Sequence, residues 1–475
     1  MVKVKRKYGT ISLAVLVLIV AILSGCGKSN ETVPASGSST PGGVVSSEQP
    51  KAETKDDENV ELVFWTYPVL DLPGQKPGEY NNVLIEKFQN KYPNVKIKLE
   101  IIPYEGGDQK VNVALASNTA PDIFNDYPGR TTGYAQRGYT VPLNDMFTDE
   151  QLKQIPEDLL RMVSLSDGTI FSYPTGLGAT MLVINKTLVE AAGASEFLPK
   201  GEMRTWTTEQ FEQLLKAVKD YQKNDSYPMT LFALNEQGDM LYHSFMAGFG
   251  GKKFSDDRVT SVMNSAENVQ ALEWVKSLVE KGLVFPNPET RPASMSNDYF
   301  VQGKTAVALG SLNTFNLVKK AKEDGTIPEE FEMMLAPFPS SKEDHGVIVP
   351  GGGVFVLFNN GDEKKIEYAK KFVDFAVNED PDFFKAAKTF DVFGKHMMVD
   401  ELSPEQLYMS KAISETEKIS RIDLSYDVDG YTQTRAVFFP EMQAIFIGAK
   451  TPQQAMDDFV KKSNEIVKAA SASKK

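Results

Sequence analysis

The chain has 475 residues, and its 51 Lys and Arg against 64 Asp and Glu give a formal net charge of −13 at pH 7. Such an acidic chain is poorly suited to bind nucleic acid or an anionic lipid surface. Hydrophobic residues make up 41% of the chain, as in an ordinary globular protein, and a single cysteine excludes an internal disulfide framework.

The first 25 residues have the pattern of an export signal. Four positive residues lie within the first seven positions, and residues 11–23 are almost wholly apolar. The run ends in Leu23-Ser24-Gly25-Cys26, which resembles the bacterial lipobox, where cleavage leaves the cysteine first and diacylglycerol on its sulfur. We therefore predict a lipoprotein signal peptide at 1–25 and lipid attachment at Cys26. A retained signal anchor is disfavoured because the run is shorter than the roughly 20 residues that span a bilayer.

Residues 26–59 are predicted to be a flexible tether that carries the lipid. The stretch is rich in Ser, Gly, Pro, Thr, Lys, Asp and Glu and contains almost no large apolar residue. Such a composition buries too little surface to offset the entropy of ordering the backbone. We therefore expect the rest of the chain at the outer face of the cytoplasmic membrane, lipid-anchored and extracytoplasmic.

The remaining chain shows the alternation of an open α/β sheet. It exceeds the size that one hydrophobic core usually accommodates, so two lobes are expected. The apolar run at 60–65, the alternating residues 95–101 and the segment 122–125 predict strands. Helical spacing at 82–92 and 110–117 predicts the helices between them. The order strand, helix, strand, helix, strand is typical of α/β folds.

The same alternation continues to the end of the chain. The patterns predict strands at 180–184, 229–234 and 354–358 and helices at 186–192, 211–221, 266–281 and 366–377. Thr207 and Gln210 form a weak capping box before the second of these helices. No repeat of fixed period is found, which argues against a solenoid or a propeller.

Seven short segments, in chain order, carry one family resemblance. They are FQNKYPNVKI at 88–97, ALASNTAPDI at 114–123, GYAQRG at 133–138, DGTIFSYPT at 167–175, VINK at 183–186, FVQGKTAV at 300–307 and KTPQQA at 450–455. Together they resemble the bacterial extracellular solute-binding proteins of family 1, which serve sugar importers of the ATP-binding-cassette (ABC) type.

The resemblance implies an α/β fold of the two-lobe periplasmic-binding-protein type, with a ligand cleft and a hinge between the lobes. We expect an N-terminal lobe from 60–174 plus 353–395 and a C-terminal lobe from 175–352 plus 396–475. Gly351, Gly352 and Gly353 are expected to act as a hinge, because successive glycines permit the backbone changes that a hinge absorbs. An ordinary glycine loop is the alternative.

Candidate ligand contacts follow the predicted strands. Ligands of open α/β sheets lie beyond the carboxyl ends of strands, and sugars need aromatic faces together with fixed polar groups. Trp65 and Tyr67 occupy such positions, although a core role for Trp65 is the alternative. Asp126, Tyr127 and Arg130 follow the third strand and offer a carboxylate, a ring and a guanidinium within a few residues.

The resemblance adds further candidates. In maltodextrin-binding relatives an aspartate and an arginine hold sugar hydroxyls. Arg130 matches that arginine, but Gly129 precedes it, so either Asp126 substitutes or the hydroxyl pattern differs. A binding glutamate of the relatives maps onto Glu236. Their stacking tyrosine is Gly238 here, and their stacking tryptophan falls on Leu312, with Asn313 beside it. The remaining candidates are Tyr173 at the first lobe crossing and Tyr431 with Arg435 before a C-terminal helix.

The resemblance implies that the protein captures a carbohydrate and delivers it to ABC permease subunits in the membrane. We expect a monomer that has no catalytic residues and that binds no cofactor or metal. Three widely separated histidines leave little material for a catalytic triad or a histidine metal cluster. Two alternatives stay open. One is a ligand-sensing surface lipoprotein without transport; the other is a secreted glycoside hydrolase, with Asp126 and Glu236 as the paired carboxylates.

Overall fold

The computed structural model describes residues 58–72, 74–103, 106–221, 226–235, 238–392 and 402–472. The predicted signal peptide, the lipid attachment at Cys26 and nearly all of the tether lie outside these residues. The described residues contain two β-sheets with helices packed on them, which is a mixed α/β architecture.

The first sheet has the strand order β2-β1-β3-β10-β4. Its strands are β1 Val60–Thr66, β2 Val95–Ile101, β3 Ile123–Asp126, β4 Tyr173–Pro174 and β10 Val354–Leu357. β1 runs parallel to both β2 and β3, whereas β10 runs antiparallel to β3 and β4. The three strands predicted in the first part of the chain therefore form the parallel part of this sheet.

From Leu62 onward both faces of β1 are largely buried, whereas the edge strand β2 keeps Lys96 and Lys98 exposed. Along β1, Leu62 and Phe64 belong to one hydrophobic cluster, whereas Val63 and Trp65 pack into another. Successive strand residues point to opposite faces, and a sheet covered by helices on both sides buries both sets. The alternation therefore sends Trp65, at 7% exposure, into a core.

The second sheet has the order β11-β9-β5-β7-β6, and β8 also pairs with β5. Its strands are β5 Gly178–Asn185, β6 Tyr227–Met229, β7 Thr305–Gly310, β8 Met333–Ala336, β9 Gly346–Gly351 and β11 Ile419–Arg421. The strand predicted at 229–234 was misplaced. Beyond Met229 the chain leaves the sheet, and the N–H groups of Ala233 and Leu234 donate to the carbonyls of Pro288 and Arg291 at 2.7 and 3.1 Å.

Helices cover both sheets. They are α1 Glu79–Lys91, α2 Gly107–Ala116, α3 Pro128–Gln136, α4 Asp149–Gln154, α5 Glu157–Val163, α6 Lys186–Ala191, α7 Thr208–Tyr221, α8 Asp239–Gly248, α9 Ala266–Glu280, α10 Ser294–Phe300, α11 Leu312–Glu323, α12 Glu363–Asp374, α13 Phe383–Ala387, α14 Pro404–Ser414, α15 Tyr431–Phe446 and α16 Pro452–Ala472. At the start of α7, Thr207 and Gln210 exchange the two hydrogen bonds of a capping box, at 2.9 and 3.2 Å.

Three chain segments meet where the two sheets join. The chain passes from β4 to β5 through residues 175–177 and from β9 to β10 through residues 352–353. The N–H of Thr175 donates to the carbonyl of Gly353 at 2.9 Å, and Leu177 exchanges two backbone hydrogen bonds of 2.6 Å with Phe390. The connections between the lobes are therefore bonded to one another.

Gly352 is required by a close backbone approach at this junction. A Cβ at position 352 would lie 2.3 Å from the carbonyl oxygen of Gly176, which is backbone and cannot rotate away. We expect Gly352→Ala to lower the free energy of unfolding by about 1–3 kcal/mol in chemical denaturation. Gly351→Ala is the matched control, because a Cβ at 351 meets no atom within 4 Å. Equal stability of the two variants would contradict this assignment.

Candidate functional site

A cavity of about 450 Å³ lies where the two sheets face each other. Residues that follow β1 and β3 in the first sheet line one side of it, and residues that follow β7 and β9 in the second sheet line the other. Loops at the carboxyl ends of strands are the usual ligand-binding positions of open α/β sheets. We call this cavity the cleft.

A buried ion pair forms one wall of the cleft. Asp126 ends β3 and is 2% exposed, and Arg130 lies one turn into α3. Arg130 Nε donates to the two carboxylate oxygens of Asp126 at 2.9 and 3.0 Å, and Nη2 also donates to this carboxylate. Burial raises the pKa of Asp126 to about 6, against the lowering effect of Arg130. The wall therefore presents groups whose orientation is fixed before any ligand binds.

Tyr67 extends this polar wall. Its hydroxyl donates to Asp108 Oδ1 at 2.8 Å, and Arg130 Cζ lies 4.7 Å from the centre of its ring. Burial, together with the nearby charge of Asp126, raises the pKa of Tyr67. One face of the Tyr67 ring is therefore covered by a guanidinium. Arg130 Cζ also lies 5.4 Å from the ring centre of Tyr127, but Tyr127 is 44% exposed and is the more open ring of the two.

A second buried ion pair involves Arg435, which lines the cleft. Asp239 begins α8 and is 3% exposed, and Arg435 Nη2 from α15 donates to its Oδ1 at 3.0 Å. Burial pushes the pKa of Asp239 upward, but the charge and hydrogen bonds of Arg435 outweigh burial and hold the pKa below its ordinary value.

Tyr426 also lines the cleft and was missed by the sequence analysis. Its ring packs against α3 at Gly129, where a Cβ would lie 2.9 Å from the ring. An aspartate at position 129, as in the maltodextrin-binding relatives, has no room beside this ring. The glycine at 129 was the sequence signal for such a close contact, but the contacting residue is 297 positions further along the chain.

The structure brings most of the predicted site residues together. Tyr67, Asp126, Tyr127, Arg130, Asn313, Arg435 and the glycines Gly351, Gly352 and Gly353 line the cleft. Their roles in binding stay predictions, because no ligand contact tests them.

Three predicted residues that the structure describes do not line the cleft. Trp65 packs into a hydrophobic cluster beneath Lys110, whose Nζ lies 4.5 Å from its ring centre. Tyr173 is fully buried and stacks on Phe147 at 4.7 Å. Tyr431 is 2% exposed and packs edge-on against Tyr426. Strand alternation and core packing take these rings away from the cleft surface. Glu236 lies outside the described residues.

The described residues hold no group of three or more His, Cys, Asp or Glu side chains arranged to bind a metal ion. In the same part of the chain, no helix combines the length and the apolar character needed to cross a bilayer.

A family model described as bacterial extracellular solute-binding protein matches residues 74–382, well over half of the chain. The chain belongs to this family. The family resemblance seen in the sequence is confirmed, and so is the two-lobe α/β fold class. The proteins of this family bind solutes and are not enzymes as a class.

Curated relatives of this solute-binding protein have modest sequence identity. The diacetylchitobiose-binding protein of Streptomyces coelicolor is 24% identical over 318 residues, which cover 66% of this chain and 69% of the relative. The arabinooligosaccharide-binding protein of Bacillus subtilis is 23% identical over 333 residues, which cover 69% of this chain and 71% of the relative.

Solved structures with the same fold include other solute-binding proteins. One, from Thermotoga lettingae bound to α-D-tagatose, matches with a TM-score of 0.69 and 20% identity over 86% of this chain and 99% of that chain. Another, from Listeria monocytogenes in complex with cycloalternan, has a TM-score of 0.67 and 17% identity over the same shares. At these identities the likeness concerns the fold alone.

The Asp239–Arg435 pair makes a testable contribution to stability. We expect Asp239→Asn to lower the free energy of unfolding by about 3–5 kcal/mol at neutral pH, because Arg435 then loses its buried counter-charge. The lowered pKa of Asp239 means that the wild-type advantage is present above about pH 4 and is lost as the pH falls further. Denaturant titrations at pH 7 and at acidic pH measure both effects.

Asp256→Asn is the control for that variant. The Asp256 side chain is 95% exposed and pairs with Lys252 at 3.0 Å, so its loss should cost less than about 1 kcal/mol. A loss for Asp239→Asn no larger than for Asp256→Asn would show that the buried pair does not stabilise the fold.

Proposed function

We propose that this solute-binding protein captures a carbohydrate, in particular an oligosaccharide, in the cleft and delivers it unchanged to an ABC importer. The observation that carries the proposal is the composition of the cleft. The rings of Tyr127 and Tyr426 lie in one cavity with the Asp126–Arg130 pair and with Arg435. Sugars need such a combination of apolar ring faces and fixed polar groups.

The size of the cleft and the relatives support this ligand class. A volume of about 450 Å³ falls within the roughly 300–1,000 Å³ of small-molecule sites. The relatives named above are a diacetylchitobiose-binding protein and an arabinooligosaccharide-binding protein. Gly238 and Leu312 replace two stacking aromatic residues of the maltodextrin-binding relatives, which favours an oligosaccharide other than a maltodextrin.

Capture proceeds by closure of the two lobes. A ligand that contacts Arg130 from one sheet and Asn313 from the other gains contacts only when both walls approach it. It therefore shifts the population toward the closed form by its differential affinity for that form. The bonded crossings at 175–177 and 352–353 are where the backbone would rotate. The closed form then docks on the permease.

A hydrolytic function is disfavoured by the residues that line the cleft. Glycoside hydrolysis needs a pair of carboxylates, and Asp126 is the only Asp or Glu among the described residues that line the cleft. The protein should therefore return its ligand intact.

Calorimetric titration with a panel of oligosaccharides tests the proposal. We expect saturable binding to at least one member and recovery of that ligand without cleavage. Tyr127→Ala should weaken its affinity roughly tenfold, which corresponds to about 1.4 kcal/mol, because the exposed ring in the cleft is lost.

Tyr221→Ala is the control, because Tyr221 is 49% exposed at the end of α7 and does not line the cleft. No heat with any carbohydrate, or turnover of the bound sugar, would refute the proposed function. Equal affinities of the two variants would remove Tyr127 from the site.

We further propose that diacylglycerol on Cys26 holds the protein at the outer face of the cytoplasmic membrane. The Leu23-Ser24-Gly25-Cys26 pattern and the polar tether that follows it support this location. A diacyl anchor is needed because a single acyl chain binds membranes only marginally. The tether lets the folded part reach a permease without leaving the surface.

Replacement of Cys26 tests the anchor. We expect Cys26→Ser to prevent lipid attachment, so that the protein loses labelled palmitate and moves from the membrane fraction to the soluble extracytoplasmic fraction. Ser24→Ala keeps the cysteine and should remain with the membrane. Continued membrane retention of Cys26→Ser without lipid would contradict the anchor.

A further inference from the structure

A second cavity, separate from the cleft, lies among α5, the segment after α8 and the segment around β11. Its volume is about 680 Å³, and none of its lining residues lines the cleft. Six Lys or Arg and four Asp or Glu line it, although acidic residues outnumber basic ones in the chain as a whole. The cavity is therefore a local concentration of positive charge in an acidic protein.

The lining carboxylates already have cationic partners. Asp423 and Asp427 both accept hydrogen bonds from Arg258, which donates from Nε to Asp427 Oδ2 at 3.1 Å. Asp256 pairs with Lys252 at 3.0 Å. The fourth carboxylate, Glu157, pairs with Arg161 on the exposed side of α5. These acids are not available to balance the other cations of the cavity.

Three of the lining cations are not used by these pairs. Arg421 pairs with Asp158 at 2.7 Å and Lys342 is exposed, which leaves Lys253. Its Nζ donates to the carbonyl of Leu424 at 3.0 Å and lies 5.2 Å from the ring centre of Tyr431. Among the residues that the structure describes, no carboxylate lies within 4.0 Å of this ammonium. Burial lowers the pKa of Lys253 to about 8, against the raising effect of Asp239 and Asp423, so the group is still charged at neutral pH.

Two buried polar atoms in the lining also lack partners. His243 is 6% exposed and Asn268 is fully buried, and both residues line the cavity. His243 Nδ1 and Asn268 Oδ1 make no hydrogen bond in the described part of the chain. Unpaired buried polar atoms are costly, and in the lining of a cavity that Lys253 also lines they indicate a site that a polar ligand completes.

We propose that the second cavity binds a small oxyanion of the phosphate type, with Lys253 as the main cationic contact. Hydrogen phosphate accepts hydrogen bonds from an ammonium and carries an O–H that an amide oxygen accepts, which matches Lys253 together with Asn268. The proposed phosphate site shares no lining residue with the cleft, so a test of phosphate binding does not decide whether the cleft binds a carbohydrate.

Titration with inorganic phosphate tests the site. We expect saturable heat with the full chain at pH 7, at an ionic strength held constant with chloride, and an increase in the unfolding temperature with phosphate concentration. Lys253→Gln should weaken phosphate binding at least tenfold, and Lys253→Arg should retain most of it. A second titration uses ethyl phosphate in place of inorganic phosphate. If both bind equally well, the site accepts a phosphate group on an organic molecule as well as the free ion.

Lys371→Gln is the matched control. Lys371 also lies close to a tyrosine ring, 4.5 Å from that of Tyr368, but it belongs to α12 and does not line the cavity. This variant should bind phosphate as the wild type does. Absence of saturable binding in the wild type, or unchanged binding in Lys253→Gln, would overturn the proposal.

A measurement on the wild-type protein keeps the proposal testable even if Lys253→Gln fails to fold. The ring resonances of His243 should move with phosphate concentration and reach half of their shift at the calorimetric midpoint. Ring resonances of His243 that do not respond to saturating phosphate would also overturn the proposed site.

Discussion

The hydrogen bonds that join the lobe crossings are the constraint on which the rest of the structure depends. Thr175 is bonded to Gly353, and Leu177 to Phe390, so three segments distant in sequence are held side by side. The connections between the two sheets are thereby held together beside the cavity that residues from both sheets line. Gly352 permits this arrangement because it leaves space for the carbonyl of Gly176.

The walls of the cleft are built to keep their polar groups in place. Two buried carboxylates, Asp126 and Asp239, are each held by an arginine that lines the cleft. A buried carboxylate without such a partner would cost several kcal/mol, so the pairing is a condition for burial. The same pairing fixes the guanidinium groups toward the cavity, where they are oriented before a solute arrives.

The aromatic part of the cleft depends on a contact between distant parts of the chain. α3 and α15 pack together, and Tyr426 fits against Gly129. The ring of Tyr431 supports Tyr426 from the side at 4.9 Å. A tyrosine that was predicted to touch ligand therefore lies behind the one that lines the cleft.

The sequence by itself determined the family, the fold class and four of the five strands of the first sheet, all except β4. The alternation in residues 95–101 and the apolar run at 60–65 are local patterns, and local patterns fix secondary structure when one or both faces are buried. The sequence also shows Asp126 and Arg130 within five residues of each other, whereas their mutual hydrogen bonds are known only from the structure.

Only the tertiary structure decided which aromatic rings line the cleft and at which residue the strand β6 ends. Trp65 and Tyr67 are two residues apart on the same side of the chain, yet Trp65 is not a cleft residue and Tyr67 is. The strand expected to reach residue 234 ends at Met229, because bonds to Pro288 and Arg291 replace the sheet partners. Both outcomes depend on neighbours that lie tens to hundreds of residues away, and such contacts leave no periodic signal in the sequence.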